Sequence, residues 1–162
     1  MTIVPISESE LPLCRDVIRN SFATVANDLN LTQQNCPTHT SFITLDNLQY
    51  HVRCGYNMFG LYNGATLIGY AALEKKSAQE YELHNLCVLP ENRHSGGGKM
   101  LLDFCKRFAH DNGAVAITLG MINESEILKK YYTQNGFEVT ETKQFPHLPF
   151  TVCFMKCDLK KE

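Results

Sequence analysis

The feature that most constrains this chain is Arg93-His94-Ser95-Gly96-Gly97-Gly98-Lys99, three successive glycines between a strand-like run and an amphipathic helix. The run before it, Tyr81 to Leu89, is mostly apolar and stops at Pro90. After it, Leu101, Phe104, Cys105, Phe108 and Ala109 recur on one helical face, and Gly113 ends the helix. Glycines let the backbone approach a ligand closely and turn its N–H groups outward. A helix start adds unpaired donors and a partial positive charge. The combination is a seat for a phosphate or pyrophosphate. A Walker A loop would need Gly and Ser or Thr where this chain has Arg93 and Met100. A Rossmann loop spaces its glycines differently and needs a second βαβ half.

The rest of the chain alternates strand and helix signals. Thr2 to Ile6 reads as an opening strand. Ser7 and Glu10 form a capping-box pattern before a helix carrying Leu11, Cys14, Val17, Ile18 and Phe22. Residues 28 to 40 are polar and read as a loop, followed by a short helix from Thr44 to Arg53. Met58 to Tyr62 and Leu67 to Glu74 read as strands joined at Asn63-Gly64. Ala114 to Leu119 is a further strand. Asn123 with Glu126 is a second capping-box pattern, opening a helix through Leu128, Tyr131 and Tyr132 that stops at Asn135-Gly136. Phe137 to Thr142 and Thr151 to Leu159 close the chain as strands. The predicted order is β-α-α-β-β-β-α-β-α-β-β, an α/β (α+β) fold, with residues 1–162 as a single domain.

Composition narrows the function classes. Fifteen Lys and Arg against 17 Asp and Glu argue against a nucleic-acid surface. Seven cysteines without a CxxC pair, and no His or Cys beside Cys153 and Cys157 to complete a zinc pattern, predict reduced thiols filling the core and no metal site. No apolar run reaches the ~18 residues that a membrane span needs. No basic stretch followed by an apolar run opens the chain, so a cytoplasmic location is expected.

Element order and glycine loop together resemble the GNAT superfamily of acyl-CoA-dependent N-acetyltransferases. The signature of that superfamily is Gln or Arg, two residues, Gly, one residue, then Gly or Ala; Arg93 to Gly98 satisfies it. A second signature, a helical Tyr followed after three residues by Gly-Phe, matches Tyr132 and Gly136-Phe137. The resemblance implies a mixed, mostly antiparallel sheet of about seven strands with about four helices. It also implies transfer of an acetyl group from acetyl-CoA to the primary amine of a small molecule or peptide, by direct attack in a ternary complex.

By that resemblance, the loop from Arg93 through His94, Ser95, Gly96, Gly97 and Gly98 to Lys99 would hold the pyrophosphate. Backbone groups of Leu86, Cys87 and Val88 would pair with the pantetheine arm. The Val88 N–H would donate to the thioester oxygen. Tyr132 would protonate the leaving thiolate, a role suited to a group with a free pKa of about 10. Glu82 and His84 share one face of their strand, and members of the superfamily carry Glu or His at the matching places, so either residue, or a water chain, would take the substrate proton. The superfamily Asn that reaches pantetheine falls at Ser125 here, while Asn123 reads as the helix cap with a secondary CoA contact.

The amine would enter beside Asn35 to Thr40 and Phe145 to Phe150, the latter stiffened by Pro146 and Pro149. The expected partners are thus acetyl-CoA and an amine acceptor, with no nucleic acid and no membrane. Val152, Phe154 and Met155 of the last strand suit either a homodimer contact or a buried core face. A binding module that holds acyl-CoA without catalysis, as a sensor or docking unit, is the reading from a different class.

Overall fold

Local sequence signals set the element boundaries in the computed structural model, which describes residues 1–160. Strand β1 is Thr2–Pro5, and helix α1 is Leu11–Asp28, entered through a single 3₁₀ turn at Glu8–Glu10. The Ser7–Glu10 pair acts as its sequence suggests, with the Ser7 amide donating to Glu10 Oε2 at 2.7 Å. Helix α2 is Leu45–Arg53, capped by a reciprocal pair: the Asn47 amide donates to Thr44 Oγ1, and the Thr44 amide to Asn47 Oδ1. Strands β2 (Asn57–Asn63) and β3 (Thr66–Ser77) are joined by Gly64-Ala65. Then follow β4 (Glu80–Val88), α3 (Gly97–Asp111), β5 (Ala116–Ile122), α4 (Glu126–Gln134), β6 (Glu138–Gln144) and β7 (Thr151–Asp158).

The observed order is the predicted one, and the strands hydrogen-bond as a seven-stranded sheet in the order β1-β2-β3-β4-β5-β7-β6. The β1–β2, β2–β3, β5–β7 and β6–β7 pairs are antiparallel, and β4–β5 is parallel. The backbone contacts group into two compact units, one of Met1–Glu74 with His84–Cys105, the other of Lys75–Leu83 with the chain from Lys106 onward.

In the first unit, α1 buries the face its spacing predicted. Leu11, Cys14, Val17 and Ile18 pack with Leu48 of α2 and with Met58, Leu67, Tyr70, Ala72 and Cys87 of the strands. Burial pushes the thiols of Cys14 and Cys87 up to about 12, so both are uncharged core groups at neutral pH. Cys54 alone among the seven cysteines is exposed.

His39 is buried edge-on between Phe22 and Phe42 and caps the turn at Thr40–Phe42 by accepting from the Ser41 amide at 3.2 Å. Burial lowers its pKa, and burial followed by the charge of His84 lowers that of His51. A histidine held neutral in the fold but free to protonate near pH 6.5 when unfolded favours the unfolded chain below that pH. Stability is therefore full above about pH 6.5 and falls as the pH drops below it. We expect the melting temperature to decrease between pH 7 and pH 5, and less so in His39→Asn, whose side-chain oxygen can still cap. An equal decrease in His39→Asn removes His39 as a contributor.

In the second unit, β5 pairs with β7 from Ala116↔Asp158 to Ile122↔Val152. Strand β5 starts later and ends later than the Ala114–Leu119 run predicts. The amides of both Val115 and Ala116 turn to the Gln79 carbonyl, and β7 continues the ladder past Gly120. Ile117, Leu119, Cys153, Met155 and Phe137 are buried. The last strand divides the apolar residues read from sequence: Met155 faces the core, whereas Val152 and Phe154 are half-buried. Strand β6 is exposed along its whole length and carries Glu138, Glu141 and Lys143, charges that guard an edge strand against further pairing.

Candidate active site

The glycine loop lies in the first unit, between β4 and α3. His94 and Gly96 both have left-handed backbones, with φ of 63° and 86°. Gly97 opens α3, and a Cβ there would stand 2.8 Å from Leu61 Cδ2, a fully buried side chain. An intrahelical bond runs from the Met100 amide to the Gly96 carbonyl at 3.0 Å. By helix geometry the amides of Gly97, Gly98 and Lys99 therefore have no carbonyl one turn back to bond. Small residues, left-handed turns and a helix start leave a run of backbone donors at the head of α3, an arrangement that can hold an anion.

The side chains of Arg93, Ser95 and Lys99 in this loop have partners within the protein. Arg93 donates from Nε to the Val88 carbonyl at 3.1 Å, and from its terminal nitrogens to the Ser21 carbonyl at 2.7 Å and Thr24 Oγ1 at 3.2 Å. Arg93 thus ties the end of β4 to α1. Ser95 Oγ donates to the Asn92 carbonyl at 2.6 Å, and Lys99 pairs with Asp103 at 2.6 Å. The loop therefore offers backbone amides above all. Leu86, Cys87 and Val88 precede it on β4, after Asn85, whose φ of 56° breaks the strand alternation. Tyr81 and Leu83 are buried before that break, Cys87 and Val88 after it.

His84 is half-buried at a hydrogen-bonded cluster of the first unit. Its Nε2 lies 2.8 Å from Glu74 Oε2, and its ring stacks on Tyr56 with centroids 5.2 Å apart. Tyr56 donates its hydroxyl to the same Glu74 oxygen at 3.1 Å. The Tyr56 ring also stacks on His51, with centroids 4.5 Å apart. Glu74, Tyr56 and His51 were not singled out in the sequence, where they read as a strand end, a loop aromatic and a helix terminus. Glu82, two residues before His84, is half-buried in the second unit and lies 3.5 Å from Lys76 Nζ.

Tyr132 lies on α4 in the second unit and is 8% exposed. Its ring meets Tyr131 and Phe137 edge-on, at 5.3 and 5.5 Å. The Phe137 amide donates to the Tyr132 carbonyl at 3.0 Å. The left-handed Gly136, with φ of 90°, makes that turn possible. Lys106 donates to the Asn135 carbonyl at the same turn, and its ammonium stands over the Phe137 ring.

The head of α4 differs from the sequence reading. Ser125, not Asn123, occupies the N-cap position. Asn123 still belongs to the sheet end: its amide donates to the Thr151 carbonyl at 2.9 Å, and its Oδ1 accepts from Lys129 Nζ at 2.6 Å. An oxygen held by a lysine ammonium is not turned to the helix amides, so the Asn123–Glu126 capping box does not form. Also in this unit, a cavity of about 490 Å³ is lined by Glu124, Phe145, Pro146, Leu148 and Phe150 among others. Glu124 Oε1 accepts from the Thr151 amide at 3.1 Å, fixing the carboxylate beside this loop.

Comparison with known proteins places these features in context. A family model described as the acetyltransferase (GNAT) domain matches residues 27–158. An uncharacterized N-acetyltransferase of Mycobacterium tuberculosis is 28% identical over 79 residues, 49% of this chain and 51% of that protein. The chain thus spans about half the length of that relative. The PaiA N-acetyltransferase of Thermoplasma acidophilum, solved with coenzyme A, superposes with a TM-score of 0.81 at 21% identity, covering 98% of this chain and 99% of its own. YncA of Salmonella typhimurium, a putative acetyltransferase solved with acetyl-CoA, gives 0.72 at 16% identity, covering 100% and 95%. At these identities the likeness is one of fold. No helix among the described residues is long and apolar enough to cross a membrane.

Proposed function

Because the chain belongs to the GNAT acetyltransferase family, we propose that it transfers the acetyl group of acetyl-CoA to a primary amine, with residues 1–162 acting as one catalytic domain. The observation that carries the reading is the glycine loop: left-handed His94 and Gly96 lead into the amides of Gly97, Gly98 and Lys99 at the start of α3. These amides bind the pyrophosphate. Backbone groups of Leu86 to Val88 align the pantetheine arm, and the Val88 N–H donates to the thioester oxygen. Asn123 and Ser125 are secondary contacts for that arm.

Glu82 and His84 provide the route by which the substrate ammonium loses its proton. The neutral amine attacks the thioester carbon, the C–S bond breaks, and Tyr132 gives its proton to the departing sulfur. Burial of the Tyr132 ring between Tyr131 and Phe137 supports a fixed donor. The cavity beside Phe145 and Phe150, with the Glu124 carboxylate in its lining, supports an acceptor that joins a cationic amine to an apolar body.

The test is thiol release from acetyl-CoA across a panel of aliphatic amines, aryl-alkylamines and peptide N-termini, with acetyl-CoA binding measured by calorimetry in the same samples. Release with one acceptor class is the expected result. Binding without release to any acceptor would instead assign a module that holds acyl-CoA.

A further inference from the structure

Glu74 accepts from two neighbours on one oxygen, His84 and Tyr56, and the aromatic stack His51–Tyr56–His84 fixes the orientation of both rings. An ionised carboxylate only accepts hydrogen bonds. Its contact with His84 Nε2 at 2.8 Å therefore requires the proton of a neutral imidazole to sit on Nε2. The lone pair of that imidazole is then on Nδ1.

We infer that Glu74 is a positioning residue for His84: it selects the Nε2–H tautomer, steadies the imidazolium that forms when Nδ1 takes the substrate proton, and is itself held by Tyr56. This rests on the reading of His84 as the proton acceptor. The proton balance is closed. One proton passes from the substrate ammonium to His84 Nδ1 and then to solvent, and another from Tyr132 to the thiolate. Glu74 stays ionised throughout, because the imidazolium is a hydrogen-bond donor at both nitrogens.

The surroundings suit this role. His51 faces the pair from α2, and its pKa is lowered by burial and by the charge of His84, so it adds little competing positive charge near neutral pH. Tyr56 closes the stack from the turn before β2. Glu82 lies on the same strand as His84, with a carboxylate oxygen 3.5 Å from Lys76 Nζ.

The test combines tautomer and kinetics. In ¹⁵N-labelled protein, the neutral His84 imidazole is expected to give the Nε2–H pattern. Glu74→Met removes the acceptor and should shift His84 toward Nδ1–H, while Tyr56→Phe retains Nε2–H. With acetyl-CoA and the amine that the wild type acetylates fastest in the panel above, Glu74→Met should lower kcat about tenfold or more. The KM for acetyl-CoA should stay within about twofold.

Glu74→Gln keeps an acceptor oxygen without the charge. It should retain the tautomer and give an intermediate kcat, and it decides the question if Glu74→Met does not fold. An Nδ1–H pattern in the wild type, or a wild-type kcat in both Glu74 variants, overturns the inference. A tautomer that responds as expected, combined with unchanged release in His84→Gln, overturns the catalytic reading of His84 and with it the part of Glu74 in transfer. Acetyl transfer itself would stand in that case.

Discussion

Tyr132→Phe should lower kcat by about a hundredfold while leaving the KM for acetyl-CoA within about twofold. The substitution removes one oxygen and almost no volume. A phenyl ring can keep the edge-on contacts with Tyr131 and Phe137, and the amide of Phe137 bonds to the backbone carbonyl of residue 132. The fold around the ring should therefore hold, and the melting temperature should stay close to that of the wild type. In the proposed mechanism, what is lost is a proton source for the leaving thiolate at a residue that is 8% exposed, where bulk water cannot readily replace it. An interaction used only as the C–S bond breaks lowers kcat and kcat/KM together. Tyr131→Phe, one residue away, is the matched control and should keep its turnover. Equal kcat for wild type and Tyr132→Phe would remove Tyr132 as the acid without removing the enzyme class.

The fold was largely legible because its main signals are local. Leu11, Cys14 and Ile18 share one face of a helix whatever lies opposite, and α1 buries that face. Gly64 has φ of 61° in a hairpin that Asn63-Gly64 announces. The boundaries of β5 were not legible, because they depend on pairing rather than composition: the Gln79 carbonyl takes two amides at one end, and β7 extends the ladder at the other. Asn123 failed as a cap for the same reason. Its spacing from Glu126 fits a capping box, but a lysine six positions later and a strand carbonyl compete for its polar groups, and they win.

The site divides along the same line. Glycines announce a loop that presents backbone amides, so Gly96 to Lys99 can be read from the chain. Arg93 announces a cation, but its partners Ser21 and Thr24 lie about seventy residues earlier in the chain, and only the fold reveals that the guanidinium holds α1 against the end of β4. Glu74 is similar. Nothing in Leu73-Glu74-Lys75 separates it from any acidic strand end, and its meaning comes from Tyr56 and His84, brought to it by two other segments. Side chains that touch substrate tend to sit in motifs, whereas the groups that orient them are supplied by tertiary packing, which single-sequence patterns do not encode.

Gly96→Val should raise the Kd for acetyl-CoA about tenfold or more, a loss of about 1.4 kcal/mol. A Cβ on Gly96 would meet nothing within 4 Å, so steric crowding is not the cause. The cause is the backbone, which has φ of 86° there. A left-handed conformation costs an L-residue about 1–2 kcal/mol, and a β-branched side chain makes it a true outlier. The loop can keep its shape and lose stability, or relax toward negative φ and turn the following amides away from the pyrophosphate. Gly64→Val provides the matched comparison. Gly64 also has a left-handed backbone, with φ of 61°, and open space around its Cβ position, but it lies in the β2–β3 hairpin. Both variants should melt at lower temperature by similar amounts, and only Gly96→Val should weaken acetyl-CoA binding in calorimetry. If the two variants bind acetyl-CoA equally well, the glycine loop is a turn between strand and helix and not the pyrophosphate seat. A selective loss in Gly96→Val ties affinity to the direction of a few backbone N–H groups, since no side-chain donor is removed.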